Sequence, residues 1–245
     1  MNRKLTLFFA LFLVFAQTAW TQSIQQENTN VPIKFHQNVE VFARFNTLQD
    51  YEPSLFSASA MYNIWGKRFS ASGGTQIQEG DTQLTLSASY AFFQNKKLSL
   101  GTGIIYNLNW LHDYSITNNF LPCFFLEWQP NSVYKLKLSI DLLFKFRHLF
   151  IFRFNQHQLI NSTVAIQIKS IFNLPKNFLL YVEFASIETF RYAIFCAPSY
   201  IAGVEYKLND SFDIMLDATV HYIDFFTLSA HYADTDIRIG GRFKW

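Results

Sequence analysis

The sequence is short of charge, cysteine, glycine and proline, and each shortage excludes something. Charged residues make up 16% of the chain, against roughly 25% in an average soluble domain. Two cysteines in 245 residues exclude a disulfide scaffold. Nine glycines exclude a collagen-like chain, which needs one at every third position. A net charge of +2 without Lys/Arg runs leaves no footprint for nucleic acid. Disorder is excluded as well, because it requires few apolar residues and a high net charge, whereas half of this chain is hydrophobic. The chain is nevertheless not greasy: its mean hydropathy is only +0.06. What it has in quantity is aromatic residues, 28 Phe, 12 Tyr and 5 Trp.

The first residues read as a processing signal. Asn2, Arg3 and Lys4 precede the apolar run from Leu5 to Ala16, and a small and polar stretch follows. The run is shorter than the roughly 20 residues of a spanning helix and fits a secretory signal. Residues 1–21 are therefore expected to be a signal peptide, with cleavage after Ala16, Ala19 or Thr21. No cysteine lies near these positions, which argues against lipoprotein anchoring. Cleavage removes Arg3 and Lys4 from 20 basic residues and leaves 18 against 18 acidic ones, so the exported chain is neutral. Residues 22–37 are polar and are expected to form a short periplasmic segment. No later apolar run is long enough for a membrane helix.

From about residue 38 to the end the chain alternates with period two, which places successive side chains on opposite faces of a strand. Between 98 and 110, Leu98, Leu100, Thr102, Ile104, Tyr106, Leu108 and Trp110 oppose Ser99, Gly101, Gly103, Asn107 and Asn109. The stretches 134–146 and 211–223 alternate in the same way. Further strands are expected near 38–46, 54–66, 67–77, 82–93, 119–129, 157–168, 177–187, 198–208 and 235–245. The total is about twelve; ten or fourteen stay open because 147–154 and 191–198 read equally as strand extensions or loops. Turn-type clusters at 65–67, 95–97, 130–132, 175–177 and 209–211 alternate with mostly longer connections near 47–53, 78–81, 112–118, 147–156, 188–197 and 224–234. Aromatic residues gather near both sets of strand ends. A soluble all-β sandwich would also alternate, but its solvent face would carry more charge.

The chain ends Arg-Ile-Gly-Gly-Arg-Phe-Lys-Trp, with Ile237, Ile239, Gly241, Phe243 and Trp245 on one face. Here it resembles the bacterial outer-membrane β-barrels, whose last strand commonly closes on an aromatic residue. The resemblance picks out no subfamily, and Trp245 stands where Phe is more usual. It implies an all-β, antiparallel, up-and-down transmembrane barrel over 38–245 in the outer membrane of a Gram-negative-type bacterium. It further implies outer-membrane lipid around the strands and recognition of Phe243 and Trp245 by the barrel assembly machinery.

With the apolar faces towards lipid, the strand charges fall inside. The expected lumen-facing set is Glu40, Arg44, Glu127, Lys135, Lys137, Asp141, Lys145, Glu205, Asp213, Asp217, His221, Arg238, Arg242 and Lys244. In an antiparallel closure Arg242 falls between Asp217 and Glu40, and Glu127 pairs with Lys135 across a short turn. Such charges either filter solutes or pair to fill a narrow lumen and fix register. Glu205 and Asp213 facing one another would suit Ca²⁺, but no third oxygen ligand is evident and Lys207 and Lys244 are near; no metal and no cofactor is expected. Ser199 and His221, the one histidine placed on a strand and diagonal to that serine, raise lipid hydrolysis, against which stand their inward placement and the lack of Gly-x-Ser-x-Gly. Cys123 and Cys196 fall near the extracellular loop ends of strands four apart, beyond disulfide reach, and are read as free thiols. The expected function is a small porin or channel for hydrophilic solutes, provided that Phe42, Phe125, Tyr181 and paired charges do not block the lumen. The alternatives are a structural or secretion-accessory barrel binding a partner protein and, last, a lipid-modifying enzyme.

Overall fold

A computed structural model describes residues 35–47, 56–111, 115–149, 156–186, 198–222 and 232–245. Their alternation becomes twelve antiparallel strands: β1 (His36–Thr47), β2 (Phe56–Trp65), β3 (Phe69–Gln78), β4 (Asp81–Gln94), β5 (Leu98–Leu111), β6 (Ser115–Trp128), β7 (Tyr134–Leu149), β8 (Gln156–Asn173), β9 (Phe178–Ala185), β10 (Ser199–Lys207), β11 (Phe212–Tyr222) and β12 (Tyr232–Lys244). Each pairs with its sequence neighbours, and β1 pairs with β12 to close the barrel. Closure matters because a lipid-facing sheet cannot leave an edge of unpaired N–H and C=O groups. The proposed signal peptide and Cys196 lie outside the described residues.

The five short connections form as their side chains dictate. Asn95 Oδ1 accepts from the Lys97 and Leu98 amides at 2.8 Å each, Asn131 Oδ1 does the same for Val133 and Tyr134, and Asn209 Oδ1 accepts from the Ser211 amide at 2.8 Å. An Asx side chain used this way mimics a backbone turn. Lys176 and Asn177 turn the chain at φ 61° and 65°. Both ends of the barrel lie on this turn side. The opposite, loop side differs from expectation in two places. Between β3 and β4 the longer connection expected near 78–81 is only Glu79-Gly80, with Gly80 at φ 75°, a left-handed conformation that glycine adopts without a Cβ clash. β6 begins at Ser115 and not near 119, because Ser115, Thr117 and Asn119 line a polar interior and give no apolar alternation to read.

Outside, the barrel is apolar: Ile77, Leu86, Phe124, Ile140, Leu142, Val164, Ile168, Val182, Leu216 and Ile239 are all exposed. A water-soluble monomer rarely shows contiguous apolar surface beyond a few hundred Å², whereas a lipid-facing wall consists of it. Around the turn side runs an aromatic girdle: Trp128 meets Tyr134 at 6.2 Å, Phe178 meets Tyr206 at 4.8 Å and Phe212 meets Phe243 at 4.7 Å. Trp245 joins it against Tyr62 at 6.4 Å, while its amide reaches Gln37 O at 3.4 Å. Such rings prefer the interface between hydrocarbon and water.

Candidate functional site: the barrel lumen

The closure seam carries the densest charge. Arg242 on β12 lies in register with Glu40 on β1 and Asp213 on β11. Its Nε donates to Glu40 Oε1 at 2.7 Å and one terminal nitrogen to Glu205 Oε2 at 2.6 Å; Asp213 Oδ2 stands 3.5 Å away. Lys244 Nζ donates to Asp213 Oδ1 at 2.6 Å. The expected neighbour Asp217 is four residues up the strand, opposite Arg238: the register follows the inward alternation, and the sequence alone does not choose between steps of it. Glu205 and Asp213 do not face one another, since Glu205 is in register with Met215 and Asp213 with Lys207. Arg242 stands between the two carboxylates as a cation, which removes the reason to hold a divalent ion there. Lys207 turns to Asp210 at 2.9 Å. Among the described residues no cluster has metal-binding geometry.

Above this layer, Arg238 donates to both oxygens of Asp217 at 2.8–3.1 Å, and Tyr181 Oη donates to Asp217 Oδ2 at 2.7 Å. Arg238 also lies 4.5 Å over the Phe42 ring, and Lys169 Nζ lies 4.0 Å over the Tyr181 ring. The three aromatics that could have blocked the lumen each lie against a glycine of an adjacent strand. A Cβ at Gly240 would overlap Phe42, one at Gly203 would overlap Tyr181, and one at Gly101 would overlap Phe125. The glycines let the rings lie along the wall.

Towards the loop side the same strands bring together Ser199, His221 and Asp236, all buried. His221 Nε2 is 2.9 Å from Asp236 Oδ2, and its Nδ1 is 2.8 Å from Ser199 Oγ. An ionised aspartate only accepts, so Nε2 carries the proton and, in a neutral ring, Nδ1 accepts from the Ser199 hydroxyl. Ser199 is directly opposite His221, not diagonal to it. Arg44 reaches Asp236 at 3.5 Å. Asp236 was missing from the candidates, although the alternation that places Arg238 inward places Asp236 inward too. Nor is His221 the only strand-borne histidine: His148 on β7 is in register with His157 on β8, in the stretch where the sequence left loop and strand equally open.

On the opposite wall, Glu127 holds Lys135 at 2.6 Å and Lys137 at 2.9 Å. Lys169 and Glu183 pair at 2.9 Å, with Gln167 donating to Glu183 at 2.6 Å. This pair flanks the 175–177 turn as Glu127 and Lys135 flank theirs, so the same hairpin arithmetic finds it. Asp141 accepts from Ser139 at 2.8 Å and lies in register with the buried, free Cys123. Cys123 is mid-wall, opposite Gly103 and Asp141, not near the loop end, because β6 starts earlier than expected. A small apolar cluster, Leu121, Leu143 and Ala165 with Ile105 against it, separates this layer from Lys145 and Arg147 above.

The wall formed by β2 to β5 is different. Its inward residues include Ser57, Ser59, Ser70, Ser72, Gly74, Gln76, Gln83, Thr85, Ser87 and Ser89, and Asp81, hydrogen-bonded by Gln83 at 2.8 Å, is their only acid. Ser70 meets Ser89 at 2.6 Å and Ser72 meets Ser87 at 2.7 Å. Bulky ion pairs therefore fill one side of the interior, and short hydroxyl and amide side chains line the other. Inward residues near the turns, such as Ser72, Ser87, Glu127 and Glu205, are half-buried; Ser57, Gln76, Asn107, Asn119 and His221 towards the loops are buried.

No protein-family model and no curated protein matches this sequence. Solved structures do match in fold. The KdgM porin superposes with a TM-score of 0.60 at 10% identity, over 85% of this chain and 99% of that one. The NanC porin gives 0.58 at 11% identity, over 84% and 100%. An outer-membrane channel from Pseudomonas putida F1 gives 0.53 at 8% identity, over 89% and 98%. At these identities the likeness is one of fold: the chain has the architecture of small outer-membrane porins.

Proposed function

We propose that this chain is an outer-membrane channel for the passive passage of small hydrophilic solutes. The observation that carries the reading is the construction of the interior. The inward faces are mostly polar, Phe42, Phe125 and Tyr181 are folded onto glycines, and the side from β2 to β5 is lined mainly by short neutral side chains. An interior meant only to be filled would be cheapest to fill with apolar side chains, since buried ion pairs add little net stability over packed hydrocarbon. The apolar exterior and aromatic girdle place the barrel in a bilayer. Its short turns and both ends would face the periplasm, and Phe243 and Trp245 would serve as the assembly signal. The fold shared with small porins supports the same reading.

The Ser199–His221–Asp236 chain favours a second reading, hydrolysis of an ester. We set it below the first because Arg44 already engages the aspartate, and because all three groups point into the lumen, away from the acyl chains of lipid. In this assignment the chain pins β10, β11 and β12 in register.

Planar-bilayer recording tests the proposal. Purified, folded barrel is expected to give discrete conductance steps in KCl. Folded protein that inserts and carries no current at any voltage would refute it.

A further inference from the structure

Within the loop-side half, one patch of wall is built unlike the rest. Lys145 on β7 is in register with Asn119 on β6, which is in register with Asn107 on β5; one step nearer the loops the series is Arg147, Thr117 and Asn109. Elsewhere in the lumen the cations are tied to carboxylates at 2.6–3.5 Å. Among the described residues Lys145 and Arg147 make no such pair, and Asp141, the nearest acid on their strand, lies beyond Leu143 and accepts from Ser139. The amides beside them are unsatisfied as well. Asn107, 3% exposed, uses neither its Oδ1 nor its Nδ2, and Asn119, 1% exposed, leaves its Oδ1 without a partner, as does Asn109. Buried amides left this way cost about 1–3 kcal/mol each, and chains rarely keep several together unless something else completes their bonds.

From this we infer that Lys145, Arg147, Asn107 and Asn119 form a solute-binding site in the loop-side half of the lumen, specific for a small carboxylate that also carries hydroxyl groups. The two cations supply what a carboxylate requires, Arg147 at the exposed outer edge and Lys145 deeper in. Asn119 Oδ1 and the two faces of the Asn107 amide supply an acceptor–donor–acceptor array that suits vicinal hydroxyls, each of which both donates and accepts. A bare inorganic anion would satisfy the cations and leave the amide oxygens unmet, because those oxygens need a donor. The uncharged serine wall from β2 to β5 continues the path without a trap, as conduction requires sites weak enough to leave.

The inference rests on the channel reading, and gluconate serves as the probe. Recorded in a KCl gradient, the wild-type channel is expected to prefer Cl⁻ over K⁺, and millimolar gluconate added on the loop side should interrupt the current, while glucose should not. Lys145→Gln with Arg147→Gln should abolish the preference and weaken the block by roughly tenfold or more, the effect of losing charge-assisted bonds. Asn119→Leu should keep the preference and lose the block. A cation-preferring wild type, or a block unchanged in the double variant, would overturn the site. If the barrel carries no current, the channel reading fails by itself; calorimetric titration of gluconate into the detergent-solubilised barrel then decides the site, with saturable binding lost in the double variant supporting it and no binding refuting it. Heat-modifiable migration of each variant verifies that it is folded.

Discussion

Replacing Gly203 by alanine tests whether the inward rings are held against the wall. Gly203 stands in register between Tyr181 on β9 and Asp217 on β11. An added Cβ would overlap the phenol ring of Tyr181 and come within 2.7 Å of the Asp217 Cβ. The ring cannot retreat, because Lys169 Nζ covers its other face at 4.0 Å, so it must swing into the lumen and release its 2.7 Å bond to Asp217. Overpacking of this kind costs about 1–3 kcal/mol, and a hydrogen bond to a charged group contributes about 1.5–3 kcal/mol. Asp217 keeps Arg238 on both oxygens, which holds the loss towards the lower end, about 2–4 kcal/mol in all. Urea unfolding followed by heat-modifiable gel migration reads the stability, and bilayer recording reads the lumen. Gly203→Ala should unfold earlier and conduct less. Adding Tyr181→Ala should restore conductance, because the displaced ring is gone. A Gly203→Ala barrel that matches the wild type in both stability and conductance would refute the wall-lying arrangement.

The seam and the histidine chain give two further tests. Arg242→Ala leaves Glu40, Glu205 and Asp213 together without their shared cation; stranding buried charges costs about 3–5 kcal/mol, and with these groups 8–19% exposed the expected loss is about 2–3 kcal/mol in urea unfolding. Adding Glu40→Gln and Glu205→Gln should recover most of it, and an unchanged midpoint for the single variant would mean that the seam does not depend on the cluster. For the register-pinning role of Ser199–His221–Asp236, His221→Ala should lower the unfolding midpoint, and wild-type protein should release no p-nitrophenol from p-nitrophenyl butyrate beyond a buffer blank. Hydrolysis lost in Ser199→Ala would establish the ester reading in its place.

Much of the barrel is legible in the sequence because lipid enforces a rule on every second residue. In β5, β7 and β11 the outward series is apolar and the inward one small or polar, so strand, face and orientation follow together. The signal fails where both faces are polar, as in Ser115–Asn119: outward Asn118 is tolerated only because Tyr106 Oη donates to it at 2.6 Å, a partner no local pattern reveals. Pairings are legible across short turns, where hairpin geometry sets the register, as for Glu127 with Lys135. They are not legible across β11 and β12, which a long connection joins: any step of two residues keeps both faces correct, so alternation could not decide between Asp213 and Asp217 as the partner of Arg242.

This two-residue ambiguity explains why charge is placed where it is. An apolar exterior penalises a one-residue slip, which would turn a whole strand inside out, but it is indifferent to a slip of two. Something inside must distinguish those states, and the seam, the last pair to form when the barrel closes, has the greatest need. Arg242, Arg238 and Lys244 each meet a carboxylate across the β11–β12 pair in the observed register, and Arg242 also meets Glu40 on β1. Shifted by two, Arg242 would face Met215 or the turn, and Arg238 would face Met215 or Thr219. The strands β2 to β5, joined by tight turns at 66–68, 79–80 and 95–97, carry almost no inward charge. At the closing β1–β12 pair, which no turn joins, the Arg242–Glu40 ion pair distinguishes the correct register from a two-residue slip.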